Sequence, residues 1–381
     1  VGSEMCIRDR TYTYSIAKGL IERGHKVIVL SLNRRGSYSW HLHENISVYS
    51  IPEVPINRKN LLVGNIINCL RVAKALNHLI KSEKLNIVES PEIGAYSLFF
   101  HRLPICNVVR LHISTAQLYF WRNKKIIDPR LRIFCYLEKL SILKADYLTA
   151  PTKFAADEAI KFFKIKNKNI IVLPNLLMSP EVNNINGKKN TQLKVIFIGR
   201  IEKRKGAHIL AQAIPKILEK CPEARFEFIG PDTKEGLNKS SMIEYCRSLI
   251  PEKYRKFVSF TGFIDHSKVL EKLSQSSVLA FPTYFESFGI ALIESMMLGI
   301  PIIASKVSCI PEIIEHGVTG LLVPPGEPIA LAEAVIKLLN DREYRRRLGE
   351  NAKKTAIERY STSYAIHLFE RFYQNILDEK K

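Results

Sequence analysis

The stretch SVLAFPTYFESFGIALIESMMLGIPIIAS, residues 277–305, decides the fold class. Its first six residues form an apolar strand that ends at Pro282, and IALIESMML reads as a helix closed by Gly299 and Pro301 before a second apolar strand. A strand, a helix and a strand in so short a stretch make a parallel βαβ unit. The intervening TYFESFG then lies at the carboxyl end of a parallel strand and at a helix N-terminus, where open α/β sheets bind their ligands. The N–H groups of Phe288, Gly289 and Ile290 point there with a partial positive charge suited to phosphate, and Gly289 allows close backbone approach. Glu286, in the loop, suits sugar hydroxyls, and Glu294, about one turn into the helix, suits a vicinal diol such as that of ribose. By residue type and spacing alone, both are equally well read as helix-start carboxylates favoured by the dipole.

A second segment repeats this geometry. VIFIGRIEKRKG, residues 195–206, is a strand followed by Gly199, Arg200, a basic turn through Lys205 and Gly206, and then a helix. It again sets cations at a strand's carboxyl end, where Arg200 can clamp a phosphate bidentately and Lys205 adds a compact charge. Lys203 and Arg204 read as the solvated part of the turn. The GxxxxGK[ST] order of a P-loop is absent.

Working outward, strands and helices alternate through most of the chain. TYTYSIAKGLIERGHKVIVLSLN is a helix, a turn and a buried strand, which is the second half of a βαβ unit. NISVYSI, LNIVES, CNVVRLH, DYLTAP and IIVLP read as further strands, with helices over 62–82, EIGAYSLFFHRL, RLRIFCYLEKLSILKA and TKFAADEAIKFF. The Asn-rich segment 175–192 reads as a connection, after which LKVIFIGR restarts the pattern. The expectation is an α/β protein with two doubly wound parallel sheets, each covered on both faces. Its divisions are an N-terminal domain over 11–178, a linker over 179–192, a second domain over 193–357, and an amphipathic helix over 358–381 that need not stay with the second domain. The first ten residues, VGSEMCIRDR, show neither strand alternation nor a helical stripe and resemble translated sequencing adapter. A helix that leads into a buried parallel strand normally follows another strand, so the opening strand and its glycine-rich turn, roughly 10–25 residues by the usual sizes of such elements, are expected to be missing.

The chain has 381 residues, 46% of them apolar, and seven cysteines with no CxxC pair or metal-spaced cluster, which suits a reducing, cytoplasmic setting. No apolar run is long enough to span a membrane. The net charge of +20 is concentrated early, with 27 Lys and Arg against 13 Asp and Glu in residues 1–180. The segment QLYFWRNKKIIDPRLR, 117–132, interleaves Tyr119, Phe120 and Trp121 with five cations, and the helix 62–82 adds Arg71, Lys74 and Lys81. Aromatic residues among cations suit an anionic membrane face, and the expected location is cytoplasmic and peripheral at the inner face of the cell membrane. Nucleic acid is excluded as a partner because no zinc finger, RRM or helix-turn-helix signature accompanies the charge. A dinucleotide-dependent oxidoreductase is excluded because no GxGxxG follows a strand.

GRIEKRKG followed by FESFGIALIE, with PEIIEHGVTGLLVPPGEPIALAEAV behind, resembles the retaining nucleotide-sugar glycosyltransferases of family 4, the group 1 transferases. The resemblance implies two Rossmann-like domains facing a cleft, the GT-B architecture. It implies a nucleotide-diphosphate sugar as donor and a glycan or lipid-linked acceptor of the cell envelope; no cofactor is expected, and no metal, since the chain has no Asp-x-Asp triplet. Arg200 and Lys205, beside Gly199, then match the pair that grips the donor diphosphate, and Glu294 matches the ribose-binding glutamate. Glu286 matches the donor-sugar glutamate, with Ser287, Phe288 and Gly289 beside it and the Ile290 amide near the phosphates. Gly262 and Phe263 match the turn against which the base lies, and His112 matches the first-domain histidine near the sugar. The resemblance further implies front-face attack with retention, Glu286 positioning the sugar and stabilising charge. An inactive sugar-nucleotide-binding protein of the same fold is the alternative, whereas an inverting transferase or an epimerase fits 281–305 less well. The sequence departs from the family pattern at Leu176, where Pro-Asn-Gly is usual, and at Ser308-Cys309, where a glycine pair is common.

Overall fold

The computed structural model describes residues 7–33, 37–56, 60–123, 128–166, 168–177 and 192–379. The chain divides into two compact units, one of residues up to Leu176 together with those from Ala365 onward, the other Leu177–Tyr364. The expected linker 179–192 lies almost wholly outside the described residues.

The second unit is built on six parallel strands, β8 (Lys194–Ile198), β9 (Arg225–Ile229), β10 (Val258–Gly262), β11 (Val278–Phe281), β12 (Ile302–Ser305) and β13 (Leu321–Val323). Their order across the sheet is β10-β9-β8-β11-β12-β13, all ladders parallel. The chain steps outward in one direction from β8 and in the other from β11, so the strand order reverses between them. Strands buried on both faces explain the unbroken apolar runs, with Val195, Phe197, Phe226, Val278 and Ile303 packed against Leu210, Ile214 and Ile217 of helix Ala207–Lys220 and Leu331, Val335 and Leu338 of helix Pro328–Asn340. Each such fully buried side chain contributes about 1.5–3 kcal/mol of transfer free energy.

The first unit departs from the expected single sheet. Its strands form two sheets, one of β1 (Ile28–Asn33), β2 (Ser39–His43) and β3 (Ile46–Pro52) in the order β1-β3-β2, the other of β4 (Ile87–Pro91), β5 (Cys106–Arg110), β6 (Tyr147–Ala150) and β7 (Ile170–Val172) in sequence order. Strand β2 has no counterpart in the sequence reading and runs antiparallel to β3, joined through Glu44 and Asn45, both at positive φ. Its exposed Trp40, and Tyr38 just before it, lie against Tyr49 of β3. The segment Ile93–Arg102, expected as a helix, is irregular 3₁₀ structure, because Gly94 and Ala95 both take positive φ. The opening helix α1 spans Ile7–Glu22, so Ile7–Arg10 are helical although the sequence reading set them aside.

Although no ladder joins them among the described residues, the two sheets share their cores. Leu30 and Leu32 of β1, Ile51 of β3 and Val88 of β4 belong to one cluster with Val72 and Leu76 of helix α2 (Leu61–Glu83). Beside Val27 and Ile87, Tyr12 and Ile16 of α1 join Phe369, Phe372 and Ile376 of the last helix, Thr362–Asp378. The latter helix is strongly amphipathic and lays its apolar face on this unit, which is why residues from Ala365 belong here.

Candidate active site

The reversal of strand order places β8 and β11 side by side, paired at Val278–Val195 and Leu279–Ile196, and both chemistry-bearing turns leave from their carboxyl ends. The two turns are docked on each other. The N–H of Tyr284 donates to the carbonyl oxygen of Arg204 at 2.8 Å, and the Thr283 hydroxyl donates to the same oxygen at 3.0 Å. Gly206, at φ +75°, cannot be replaced without disturbance, since a Cβ there would lie 1.8 Å from the carbonyl oxygen of Pro282.

Both glutamates of the opening stretch are buried, with Glu286 at 7% and Glu294 at 5% exposure, which removes the reading of either as a solvated helix-start carboxylate. Each meets a base. The ammonium of Lys205 donates to Glu286 Oε2 and lies 5.4 Å from the centre of the Phe281 ring. Glu286 Oε1 accepts from the N–H of Ser287 at 3.1 Å. His266 Nε2 lies 2.6 Å from Glu294 Oε1. Buried carboxylates need such partners, since an unpaired buried charge is costly. The helix Ile290–Met297 begins directly after Gly289, at φ +76°, and ends before Gly299, at φ +71°, as the sequence predicted. Phe288 is wholly buried, set edge-on to Tyr360 at 5.8 Å.

Arg200 is an exposed cation of the turn, its side chain 53% accessible, and it makes an ion pair at 3.3 Å with the fully buried Glu202. Gly199 ends β8 at φ +141°. Lys203 is exposed, as expected, but Arg204 is not the solvated residue the sequence suggested. Its guanidinium is largely buried, donating to Glu202 Oε1 at 2.5 Å and to the carbonyl oxygen of Phe285 at 2.9 Å. Arg204 thus ties the basic turn to the backbone next to Glu286. A run of basic residues in a turn carries no periodicity that would single out the inward one.

Gly262, at φ +74°, closes β10 and the exposed Phe263 follows it, with nothing within 4 Å of where a Gly262 Cβ would stand. The Ser308-Cys309 pair, where the family favours glycines, lies in the turn between β12 and the helix Ile310–Ile313. Ser308 holds φ +52°, a conformation glycine adopts freely, and Cys309 is buried next to Glu286, burial first and that carboxylate second pushing its thiol up. Among the described residues no three His, Cys, Asp or Glu side chains converge as a metal-binding set.

His112 lies in the first unit, just past β5, and is almost wholly buried. Its N–H donates to both oxygens of Glu92, at 2.8 and 2.9 Å, and its ring lies edge-on to Tyr12 at 5.5 Å. Beneath the same loop Glu138 is fully buried and accepts from the N–H of Gly94 at 3.3 Å; burial first, then the charge of Glu92, pushes its carboxyl up to about 8. Arg110, also buried, donates to the carbonyl oxygen of Leu173 and to Asn175 Oδ1, both at 2.7 Å, with its guanidinium over the Tyr12 ring. Sequence reading missed these buried charges, because nothing in a lone Glu or Arg announces its burial.

Two family models match the chain. The model for Glycosyltransferase Family 4 matches residues 10–177, and that for Glycosyl transferases group 1 matches 178–355. The chain belongs to the group 1, family 4 glycosyltransferases. It is 25% identical over 366 residues to an uncharacterized glycosyltransferase of Methanocaldococcus jannaschii, covering 91% of this chain and 88% of that one. It is 28% identical over 262 residues to the N-acetyl-alpha-D-glucosaminyl L-malate synthase of Bacillus anthracis, 67% of this chain and 65% of the relative. The sucrose-phosphate synthase structure from Thermosynechococcus elongatus superposes with a TM-score of 0.77 at 19% identity, covering 97% of this chain and 94% of that one. The fold is therefore that of the GT-B glycosyltransferases, two α/β units with parallel sheets flanked by helices, and the glycosyltransferase is an enzyme of that class.

Proposed function

We propose that this glycosyltransferase moves a glycosyl unit from a nucleoside-diphosphate sugar to a glycan or lipid-linked acceptor of the cell envelope, with retention of anomeric configuration and without a metal ion. The observation that carries the reading is the docking of the basic turn 199–206 on the loop 282–289 at the strand-order reversal, with the ammonium of Lys205 on Glu286. In the reaction the bond from the anomeric carbon to the phosphate oxygen breaks. A bond to the acceptor oxygen forms on the same face, and the acceptor's proton passes to the leaving phosphate oxygen. Negative charge grows on the diphosphate as this proceeds. Arg200, Lys205 and the N-terminus of helix Ile290–Met297 supply fixed positive charge where it grows, the part a metal ion plays elsewhere. Glu286 orients the sugar and offsets positive charge at the anomeric carbon, Glu294 holds the ribose, and the exposed face of Phe263 takes the base. The role of His112 near the donor sugar rests on the family resemblance alone.

The test is a calorimetric and thermal-shift panel of uridine, guanosine and adenosine diphosphate sugars, followed by NMR of the product's anomeric proton. One nucleotide sugar binding well above the rest, with turnover unchanged by EDTA and a product of the donor's configuration, is the expected outcome. An inverted product sinks the retaining reading, and binding without turnover to any acceptor favours the inactive relative.

The acceptor side has its own surface. Val63, Ile66 and Leu70 are exposed along one stripe of α2 that continues through Lys74 and Lys81. The neighbouring helix Pro129–Leu143 exposes Ile133 and Tyr136 beside Arg132. Arg71, counted with this face by the sequence, instead caps the carbonyl oxygen of Pro52 at 2.9 Å. In the segment 117–132, Lys124 and Lys125 lie outside the described residues, and Phe120 packs edge-on to Phe162 at 5.7 Å. No described helix is long and apolar enough to cross a membrane. Apolar residues rimmed by cations suit peripheral binding to anionic lipid, each nearby Lys or Arg adding about 1 kcal/mol. Flotation with anionic liposomes at low salt is expected, and Leu70→Glu with Ile66→Glu should abolish it; wild-type protein that stays at the bottom overturns the assignment.

A further inference from the structure

We infer that His266 is a nucleoside-recognition residue, which fixes Glu294 in the orientation in which that carboxylate meets the two ribose hydroxyls. The inference rests on reading this region as a nucleotide-sugar site, and it names a residue outside every motif that led to that reading.

Glu294 and His266 come from different strand ends. Glu294 belongs to the helix that follows β11, whereas His266 opens the helix His266–Ser274 after β10. Gly262, which closes β10, and the exposed Phe263 in the loop from there to that helix are the residues assigned to the base. The contact between His266 Nε2 and Glu294 Oε1, at 2.6 Å, therefore ties the base end of the pocket to its ribose end.

The two partners differ in freedom. The Glu294 side chain is 6% accessible, while that of His266 is 45% accessible. A glutamate has three rotatable side-chain bonds, and a helix position does not decide where its carboxylate ends up. A charge-assisted bond from the imidazole does decide it, and at this length such a bond is a strong one. A carboxylate offers about four lone-pair positions. One bond to the histidine leaves Oε2, and the second lone pair of Oε1, for O2′ and O3′ of ribose. Without the imidazole the buried carboxylate would lack this donor, and rotation would spoil its geometry for a diol.

The test compares ribose with its absence on the same protein. The probes are whichever of UDP, GDP and ADP binds best, its 2′,3′-dideoxy form, and inorganic pyrophosphate, each titrated by calorimetry. His266→Ala should weaken the ribonucleotide about tenfold, the order of one hydrogen bond to a charged group, with the other two probes nearly unaffected. His266→Gln, whose amide can donate in the same direction, should recover much of the loss. The inference is overturned if His266→Ala binds the ribonucleotide as well or better, which would make the histidine a placeholder that the ligand displaces. Equal weakening of all three probes in both variants overturns it too, because a merely structural role does not distinguish ribose from dideoxyribose. Glu294→Ala separates this inference from the reading beneath it. If that variant keeps the wild-type preference for ribose, the assignment of Glu294 fails, however His266 behaves.

Discussion

Glu286→Gln lowers kcat by about 10²-fold, while affinity for the nucleoside diphosphate is unchanged or rises. The substitution keeps the shape of the side chain and removes only its charge. In the wild type that charge is buried, held by the Ser287 N–H on one oxygen and paired with Lys205 on the other. Two consequences follow from the pairing. The ammonium of Lys205 divides its attraction between Glu286 and any diphosphate that enters, so a neutral amide at 286 frees it for the phosphate and tightens diphosphate binding. At the same time the transferring sugar loses the negative group that offsets positive charge at its anomeric carbon, and the loss is felt in kcat, not in binding. Steady-state kinetics with the donor identified by the panel, together with calorimetry of the nucleoside diphosphate, measures both. A kcat within a few-fold of wild type removes Glu286 from the reaction, and a parallel loss of diphosphate affinity makes it a structural partner of Lys205. Because Cys309 is buried beside this carboxylate, the same variant should also make the thiol easier to ionise, which thiol titration under mild denaturant can follow.

Most of the second unit was legible in the sequence because each of its turns is punctuated. Pro282, Gly289, Gly299 and Pro301 mark where one strand ends, a helix begins, and the next strand starts, and the structure follows those marks to within a residue. The placement of Glu286 and Glu294 was legible for the same reason, since a residue's distance from a helix start fixes which end of the sheet it occupies. What the sequence withheld is tertiary. Arg204 and Lys203 are neighbours of one type, and only the docking of loop 282–286 turns one inward. His266 is likewise silent until a helix from another strand end brings Glu294 to it. In the first unit, β2 escaped because SWHLH is exposed at every residue and carries no buried run, its place being set by pairing to β3. Glu92, Glu138 and Arg110 escaped because burial of charge is decided by elements far apart in the chain.

A parallel strand of five or six apolar residues, supplied ahead of α1 through a glycine-containing turn, raises the melting temperature on the order of 10 °C. The reason lies in two strand edges. Strand β1 is paired on one side to β3, and β4 on one side to β5; the other edge of each has no ladder partner among the described residues. Side chains of β1, of Val27 just before it and of β4 nevertheless meet in shared clusters, Leu30, Leu32 and Val88 with α2 and Val27 and Ile87 with α1. A strand supplied between these two edges would run parallel to both, and one leading into α1 would satisfy the right-handed crossover to β1. Such a strand pairs backbone groups on both edges and buries side chains on both faces. Each buried Val or Ile contributes about 1.5–3 kcal/mol against roughly 1–2 kcal/mol of backbone ordering per residue, so several inward residues leave a net gain. A control carrying the same segment with a proline at its centre should gain nothing, because proline can neither donate to a ladder nor sit within a central strand. Calorimetric melting of the two extended chains beside the present one decides the matter. If the proline control melts as high as the apolar strand, the stabilisation does not come from pairing with the edges of β1 and β4.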